Sequence, residues 1–286
     1  MSIEFNKVSY IYSEKTPFEF AALHEVDLKL SEKKMTAIIG ATGSGKSTLV
    51  QHLNALLLPS GGKLKILDFE IVAKQKATNL KALRSHVGLV FQFPEYQLFE
   101  ETIMKDLCFG PKNFGVSEEE AQLKAKKALK LVGLDESYLE KSPLDLSGGQ
   151  KRRVAIAGIL AMDPDVLVLD EPTAGLDPQG AVQMMSLFRE LNQKYGKTVL
   201  VVTHDMEHVL NYCDEVVVMK KGEVYSHTSV KEFFQDTTYL DELHILPPAV
   251  VRVRQMLNAR GFHVPADCFD IKTLCAHIAK EVKHHG

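Results

Sequence analysis

The chain has 286 residues, of which 45% are hydrophobic and 25% charged, so it can form one large or two modest globular domains. A net charge of −3 gives no indication of a nucleic-acid-binding protein, and four cysteines without a Cys-x-x-Cys pair argue against a zinc site or a disulfide framework. Because the N-terminus lacks a signal-peptide pattern and no apolar run reaches roughly 18–20 residues, we expect a soluble chain with reduced cytosolic thiols.

The first half of the chain alternates strand and helix patterns. Alternation in IEF and VDLKL predicts half-buried antiparallel strands within residues 3–39, and the continuous apolar run KMTAII predicts a strand covered on both faces. We then predict a helix over 46–58, a buried strand over 86–91, and a helix over 117–132 that starts with a serine cap and three glutamates.

The second half continues the alternation. A helix is predicted from 148, buried strands over 165–170 and 198–204 flank a helix over 179–194, and residues 215–228 form a hairpin turning near Lys221-Gly222. Strands alternating with helices predict an α/β fold with a mainly parallel sheet and helices on both faces. The pattern changes to short helices near residue 228, where we place a domain boundary before a helical extension over 229–286.

The segment GATGSGKST, residues 40–48, fits the phosphate-binding pattern G-x-x-x-x-G-K-[ST] between a buried strand and a helix. Its glycines let the backbone wrap around phosphates, with the amides and the helix N-terminus facing the anion. A glycine-rich turn without a ligand is the alternative, and the strand–loop–helix context favours the phosphate site. Lys46 is expected to reach the β- and γ-phosphates, and Ser47 to hold Mg²⁺. The predicted nucleotide-binding residues are Gly40, Thr42, Gly43, Ser44, Gly45, Lys46, Ser47 and Thr48.

An acidic pair ends the buried strand in VLVLDEP. Asp170 is the expected carboxylate partner of Mg²⁺, and Glu171 is a candidate general base on water. A strand-end pair that only caps a turn is the alternative. The preceding apolar run, in a chain that also carries the phosphate loop, favours the functional interpretation.

The segment LSGGQ, residues 146–150, predicts a second anion-binding loop. Serine and glutamine have capping-box spacing before a helix, and the glycines between them leave amides uncovered at the helix N-terminus. A merely well-capped helix is the alternative. We interpret the basic residues at 151–153 as a solvated face. The predicted anion-binding residues are Ser147, Gly148, Gly149 and Gln150.

The motifs GATGSGKST, Gln92, LSGGQ, VLVLDEP, GLDP and His204 resemble, in this order, the nucleotide-binding domain of ABC ATPases over roughly residues 3–228. The resemblance implies a P-loop NTPase fold with a RecA-like core, an antiparallel β subdomain and an α-helical subdomain at about 93–162. In that family two chains pair head to tail. Each ATP then lies between the phosphate loop of one chain and the signature loop, LSGGQ, of the other.

The resemblance also implies roles for single residues. Tyr12 matches the aromatic residue that stacks on adenine, with Tyr10 as its rival. Gln92 matches the glutamine that touches Mg²⁺ and the attacking water and senses the membrane partner. Glu171 matches the catalytic base, Asp177 in GLDP the loop that crosses between the two sites, and His204 the switch histidine at the γ-phosphate. The implied cofactors are ATP and Mg²⁺, and the implied metal-binding residues are Ser47, Gln92 and Asp170.

The aromatic segment FQFPEYQLF, residues 91–99, faces the transmembrane partner in that fold. We expect Phe91 to belong to the core. Phe93, Tyr96 and Phe99 are expected to have a mixed role, with at least one lining a groove for a helix of the partner.

This segment, with ILPPAVVRVRQMLNARG in the extension, resembles the ATP-binding subunits of energy-coupling factor transporters, in particular the second of the two paralogous ATPases of vitamin-type systems. The resemblance implies a peripheral protein at the cytoplasmic face of the membrane, paired with a paralogous ATPase and bound to a transmembrane coupling protein and small substrate-binding membrane proteins. The extension contributes to ATPase pairing in that family. The spacing of Val250, Val253 and Leu257 suits pairing or intrachain packing equally. A conventional homodimeric importer ATPase and a soluble ABC ATPase are the alternatives, and use of GTP stays open.

Overall fold

The computed structural model describes residues 2–235, 240, 243 and 245–285, and within these ranges it describes side chains from residue 3 to residue 281. Its strands are β1 Ser2–Tyr12, β2 Phe20–Leu30, β3 Met35–Ile39, β4 Gly61–Leu67, β5 Phe69–Val72, β6 Val87–Val90, β7 Val166–Asp170, β8 Thr198–Val202, β9 Glu215–Lys220 and β10 Glu223–Ser229. Its α-helices are α1 Lys46–Leu53, α2 Leu80–His86, α3 Ile103–Asn113, α4 Glu118–Leu131, α5 Gly148–Leu160, α6 Pro178–Tyr195, α7 Met206–Tyr212, α8 Val230–Gln235, α9 Ala249–Asn258 and α10 Ile271–His285.

The central sheet has six strands in the order β10-β9-β3-β8-β7-β6. The neighbours from β9 to β6 run parallel, and β10 is antiparallel to β9. The predicted α/β fold with a mainly parallel sheet and the predicted hairpin at 215–228 are therefore confirmed. The continuous apolar runs of β3, β7 and β8 are almost wholly buried, as strands covered on both faces must be.

A second, antiparallel sheet has the order β2-β1-β4-β5. The half-buried pairing of β1 with β2 confirms the strands predicted from alternation. Strands β4 and β5 were not predicted. The segment GGKLKIL begins with two glycines and FEIV has only four residues, so neither shows a clear strand pattern. Strand β4 pairs with β1, and β5 pairs with β4.

The parallel sheet separates two layers of buried side chains. On β3, Met35, Ala37 and Ile39 face the layer that contains α3–α6, whereas Ile38 faces the layer that contains α1 and the antiparallel sheet. This two-sided packing confirms the prediction of helices on both faces.

The helix predicted over 46–58 is too long by its last turn. Helix α1 ends at Leu53, Asn54 is its C-cap and Ala55 has φ +53°. Leu56 and Leu58, which lie beyond the end of the helix, are exposed. The serine cap of α4 is confirmed, because the Ser117 hydroxyl accepts from the Glu120 amide at 3.3 Å.

The extension beyond residue 228 shares the buried cluster of the ATPase core, to which it contributes Phe233, Phe234 and Val251. Within α9, Val250 and Leu257 pack inside the chain, whereas Val253 is 41% exposed. Val250 and Leu257 therefore fit intrachain packing, and the pairing role of this helix stays a prediction. Within the described residues, no helix has the length and apolar character to cross a bilayer.

Candidate functional site

Part of the predicted site lies where four strands end at one edge of the parallel sheet. Val202 of β8 pairs with Ile38 of β3 and with Asp170 of β7, and Leu169 pairs with Val90 of β6. The carboxyl ends of β3, β6, β7 and β8 therefore lie side by side. The phosphate loop, Gln92, the acidic pair and His204 emerge at this edge, where parallel α/β sheets bind ligands.

The phosphate loop presents an open helix N-terminus. Gly45, the N-cap of α1, has φ +99° and gives no side-chain cap, so the first amides of the helix stay available to an anion. A Cβ atom on Gly45 would lie 2.7 Å from the carbonyl oxygen of Ala22, so both the dihedral and the contact require glycine. These features fit a phosphate group.

Lys46 lies within this loop and donates from Nζ to the carbonyl oxygens of Gly40 at 2.8 Å and Ala41 at 2.9 Å. Burial lowers the pKa of Lys46, and the nearby carboxylates of Glu171 and Asp170 oppose that shift. A phosphate beside Nζ would stabilise the charged ammonium that burial disfavours. The ammonium is thus held at the loop in position to meet an anion.

Asp170 is placed to share a divalent cation with Ser47. Burial raises the pKa of the Asp170 carboxyl, while its hydrogen bond with the Ser47 side chain lowers it. A cation would relieve the cost of this buried charge, and carboxylate, hydroxyl and amide oxygens are ligands that Mg²⁺ accepts. Ser47 and Asp170 therefore fit Mg²⁺ together, and the role of the Gln92 side chain as a third ligand stays a prediction. Among the described residues, no group of three or more His, Cys, Asp or Glu side chains is placed to hold a metal ion.

Glu171 and His204 form a pair at the same edge. His204 Nδ1 lies 2.9 Å from Glu171 Oε1, the carboxylate is 18% exposed and the imidazole 82%. The Glu171 backbone has φ +50°, and its amide donates to the Val202 carbonyl at 3.0 Å. A non-glycine residue with positive φ is uncommon and often marks a functional site. The Glu171 carboxylate is thus largely buried close enough to Lys46 to affect its pKa, whereas the imidazole of His204 is exposed.

Tyr12 lies nearer to the phosphate loop than its rival. The Tyr12 hydroxyl is 3.1 Å from the Thr48 hydroxyl. Tyr10 instead packs on the buried cluster, with its ring 5.0 Å from the ring of His52 and 4.7 Å from that of Tyr12. This placement favours Tyr12 as the base-stacking residue, which stays a prediction.

The signature loop has the predicted capping box. The Ser147 hydroxyl accepts from the Gln150 amide at 3.4 Å, and Gln150 Oε1 accepts from the Ser147 amide at 3.0 Å. Gly148 and Gly149 are exposed, and a Cβ atom on either would meet open space. The amides at the start of α5 are therefore accessible.

Asp177 lies beside the signature loop and not beside the phosphate loop. Its carboxylate caps α6 by accepting from the Gly180 amide at 2.6 Å. With Ser147, Gly149 and Gln150 it lines a cavity of about 370 Å³, whose described lining includes no phosphate-loop residue. The phosphate loop and the predicted anion-binding loop LSGGQ of one chain therefore face different spaces.

The interpretation of residues 151–153 as a solvated face is wrong. Arg152 is buried with its side chain 4% exposed, and it donates to the carbonyl oxygens of Gln92 and Ala174. Arg153 is half-buried and donates to the Val132 carbonyl at 2.7 Å. Arg152 lies three and four positions before the buried residues Ala155 and Ile156, so all three share one face of α5. This spacing could have indicated from the sequence that Arg152 points inward.

The aromatic segment divides as expected between core and surface. Phe91 packs against the core, whereas Phe93, Tyr96 and Phe99 are exposed. Phe99 makes an edge contact with Phe109 at 4.8 Å between ring centroids. Both rings line a cavity of about 300 Å³, together with Leu98, Asp106, Phe114 and Met162. Phe99 therefore lines a cavity, and use of this cavity by a helix of the partner stays a prediction.

Comparison with known proteins gives consistent matches. Residues 23–174 match the family model described as ABC transporter. The chain is 52% identical over 286 residues to the energy-coupling factor transporter ATP-binding protein EcfA2 of Enterococcus faecalis, covering 100% of this chain and 99% of the relative. It is 49% identical over 273 residues to the protein of the same name from Geobacillus kaustophilus, covering 95% and 94%.

Two solved structures are similar to this chain over most of its length. One is cbiO1 from Clostridium perfringens, described as part of the ABC transporter complex cbiONQ, with a TM-score of 0.72, 37% identity and coverage of 88% of this chain and 98% of that one. The other is the ATP-binding cassette MJ0796 in a dimeric post-hydrolysis state bound to ADP and Pi, with a TM-score of 0.71, 30% identity and coverage of 80% and 98%.

Proposed function

Because this chain belongs to the ATP-binding subunits of energy-coupling factor transporters within the ABC transporter family, we propose that it drives uptake of a vitamin or similar micronutrient through a transmembrane coupling protein. The chain is the ATPase of such an importer. The observation that carries the proposed chemistry is the Glu171–His204 pair, held at 2.9 Å on the sheet edge that also carries the phosphate loop.

The residues at this edge have different roles in ATP hydrolysis. The amides of the phosphate loop and Lys46 hold the β- and γ-phosphates, and Glu171 accepts the proton of the attacking water. His204 contacts the γ-phosphate with its exposed imidazole and keeps Glu171 oriented through Nδ1. Ser47, Gln92 and Asp170 would hold Mg²⁺, which neutralises phosphate charge when bound.

A second ATPase completes the site. The signature loop and the phosphate loop of one chain face different spaces, so a nucleotide contacts both motifs only when another chain supplies the signature loop. We assign this role to a paralogous ATPase, which makes the active unit a heterodimer. Residues 1–228 form the ATPase domain, with its helical subdomain at about 93–162. The extension 229–286 contributes to pairing through exposed Val253 and Met256 on α9.

The cavity beside Phe99 is the docking site for the transmembrane coupling protein. Its walls are largely apolar, and Asp106 is its single acidic lining residue among those described. The Asp106 carboxylate accepts from the amides of Phe99 and Glu100, both at 3.3 Å, and burial raises its pKa. An amphipathic helix with apolar residues and one basic side chain fits this chemistry. The chain thus lies at the cytoplasmic face of the membrane and contacts it through this protein and small substrate-binding membrane proteins.

The composition of the assembly tests this proposal. The chain is purified from detergent-solubilised membranes of its host, and every co-eluting chain is identified. We expect a different ABC ATPase, one coupling protein and small substrate-binding proteins. A homodimer with a dedicated permease, or no membrane protein, would overturn the proposed partners and leave the ATPase chemistry in place.

A further inference from the structure

A buried guanidinium joins three segments around the ATP site. Arg152 extends from α5, the helix that begins at the signature loop. It donates to the carbonyl oxygen of Gln92 and to that of Ala174, and its Nε lies 3.4 Å from Glu95 Oε2. A single side chain of the signature helix therefore contacts both the segment after β6 and the segment after Glu171.

Each of these segments has its own task. Gln92 and Glu95 belong to the aromatic segment 91–99, whose other end lines the docking cavity at Phe99. Ala174 lies between Glu171 and Asp177, and its amide donates to the Glu171 carbonyl at 3.1 Å. The contacts of Arg152 therefore lead from the docking cavity to both motifs that meet ATP.

The chemistry of the contact requires arginine. A buried charge is tolerated only when it is paired and hydrogen-bonded, and Arg152 has one carboxylate and two carbonyl oxygens as partners. The guanidinium directs several N–H groups outward in one plane, so it reaches acceptors on different segments at once. The compact ammonium of lysine keeps the charge but cannot span the same acceptors.

We propose that Arg152 is a positioning residue that transmits occupancy of the docking cavity to the catalytic segment 171–177 and to the signature helix. A partner helix in the cavity moves segment 91–99, and Arg152 carries that movement to the Ala174 carbonyl and α5. This inference rests on the proposed function, because it assigns the residue that connects the membrane partner to hydrolysis.

The test compares ATP hydrolysis by the chain alone with hydrolysis by the purified assembly containing its membrane partners. In Arg152→Lys we expect kcat in the assembly to fall about tenfold while KM for ATP stays within about threefold, because the nucleotide contacts are intact. Glu95→Gln keeps both carbonyl contacts and removes only the carboxylate. We expect it to reduce stimulation by the membrane partners about threefold or more.

The matched control is Arg189→Lys. Arg189 is a half-buried guanidinium that binds both carboxylate oxygens of Asp214, at 2.8 and 2.9 Å, and it contacts neither segment 91–99 nor segment 171–177. This variant should lower the melting temperature and leave the stimulation ratio unchanged. The double variant Glu95→Gln/Arg152→Lys should have a kcat no lower than that of Arg152→Lys, because both substitutions break the same connection.

The outcomes separate this inference from the proposed function. A wild-type assembly stimulated by its partners, with the same stimulation in folded Arg152→Lys and Glu95→Gln variants, would overturn the role of Arg152 alone. If Arg189→Lys lost as much stimulation as Arg152→Lys, the loss would be explained by lower stability of the fold. This result would also overturn the role of Arg152. A wild-type assembly without stimulation would overturn the proposed function and this inference with it.

Discussion

The role of Glu171 makes the sharpest prediction for the chemistry. In Glu171→Gln the side chain keeps its size and still has an oxygen for His204, which lies 2.9 Å away in the wild type. The amide cannot accept the proton of the attacking water. Because a positioned general base contributes roughly 10²- to 10⁴-fold, kcat should fall by about that factor, equivalent to about 3–5 kcal/mol of barrier. The affinity for ATP should stay within about threefold, since Lys46 and the loop amides are unchanged.

Phosphate release and nucleotide binding are measured first on the purified chain, where no unchanged ATPase is present. Both are then measured in the assembly. Glu215→Gln is the matched control, because Glu215 is 19% exposed and 3.2 Å from His227 but lies at the opposite end of the sheet. It should keep near wild-type turnover. Turnover of Glu171→Gln above about one tenth of wild type would refute the general-base assignment.

Three further predictions concern the nucleotide site and its supporting helix. Gly45→Ala should weaken ATP binding at least about tenfold in a titration, since φ is +99° and its Cβ would press on a carbonyl, whereas Gly196→Ala, with φ +65° and open space, should not. Tyr12→Ala should weaken ATP binding about tenfold through lost stacking, whereas Tyr10→Ala should mainly lower the melting temperature; equal loss of affinity would contradict the assignment. Burial lowers the pKa of His52 to about 4, below its unfolded value near 6.5, so stability is full above about pH 6.5 and declines as the pH falls towards 4. His52 should account for about 2 kcal/mol of the decline in unfolding free energy from pH 7 to pH 5, measured with urea; an equal decline in His52→Gln would contradict this account.

The sequence predicts those features that depend on local pattern. The strands β3, β7 and β8 are continuous apolar runs, and the phosphate loop stands between a strand and a helix, so pattern and position agree. The capping box at Ser147 was predictable because both partners lie within one helical turn. Because β3, β7 and β8 end at the same edge of the sheet, the phosphate loop, the acidic pair and His204 lie close together.

Features that depend on tertiary contacts were missed or misread. Helix α3 contains Pro111, and its apolar residues become recognisable as one buried face only when packed against α4 and α5. The partners of Arg152 lie 60 and 22 positions away in the chain, so its charge suggested solvent exposure. The positive φ of Glu171 follows from the loop that holds it, which no local propensity indicates.

In the proposed function, hydrolysis at this chain's phosphate loop drives import. The most direct test reconstitutes the purified assembly in lipid vesicles and follows ATP-driven uptake of the compound carried by its substrate-binding proteins. We expect uptake with ATP on the side that carries this chain, and a fall of at least about tenfold in both uptake and phosphate release with Glu171→Gln. Uptake that continues at the wild-type rate with Glu171→Gln, in an assembly that still contains the chain, would contradict it.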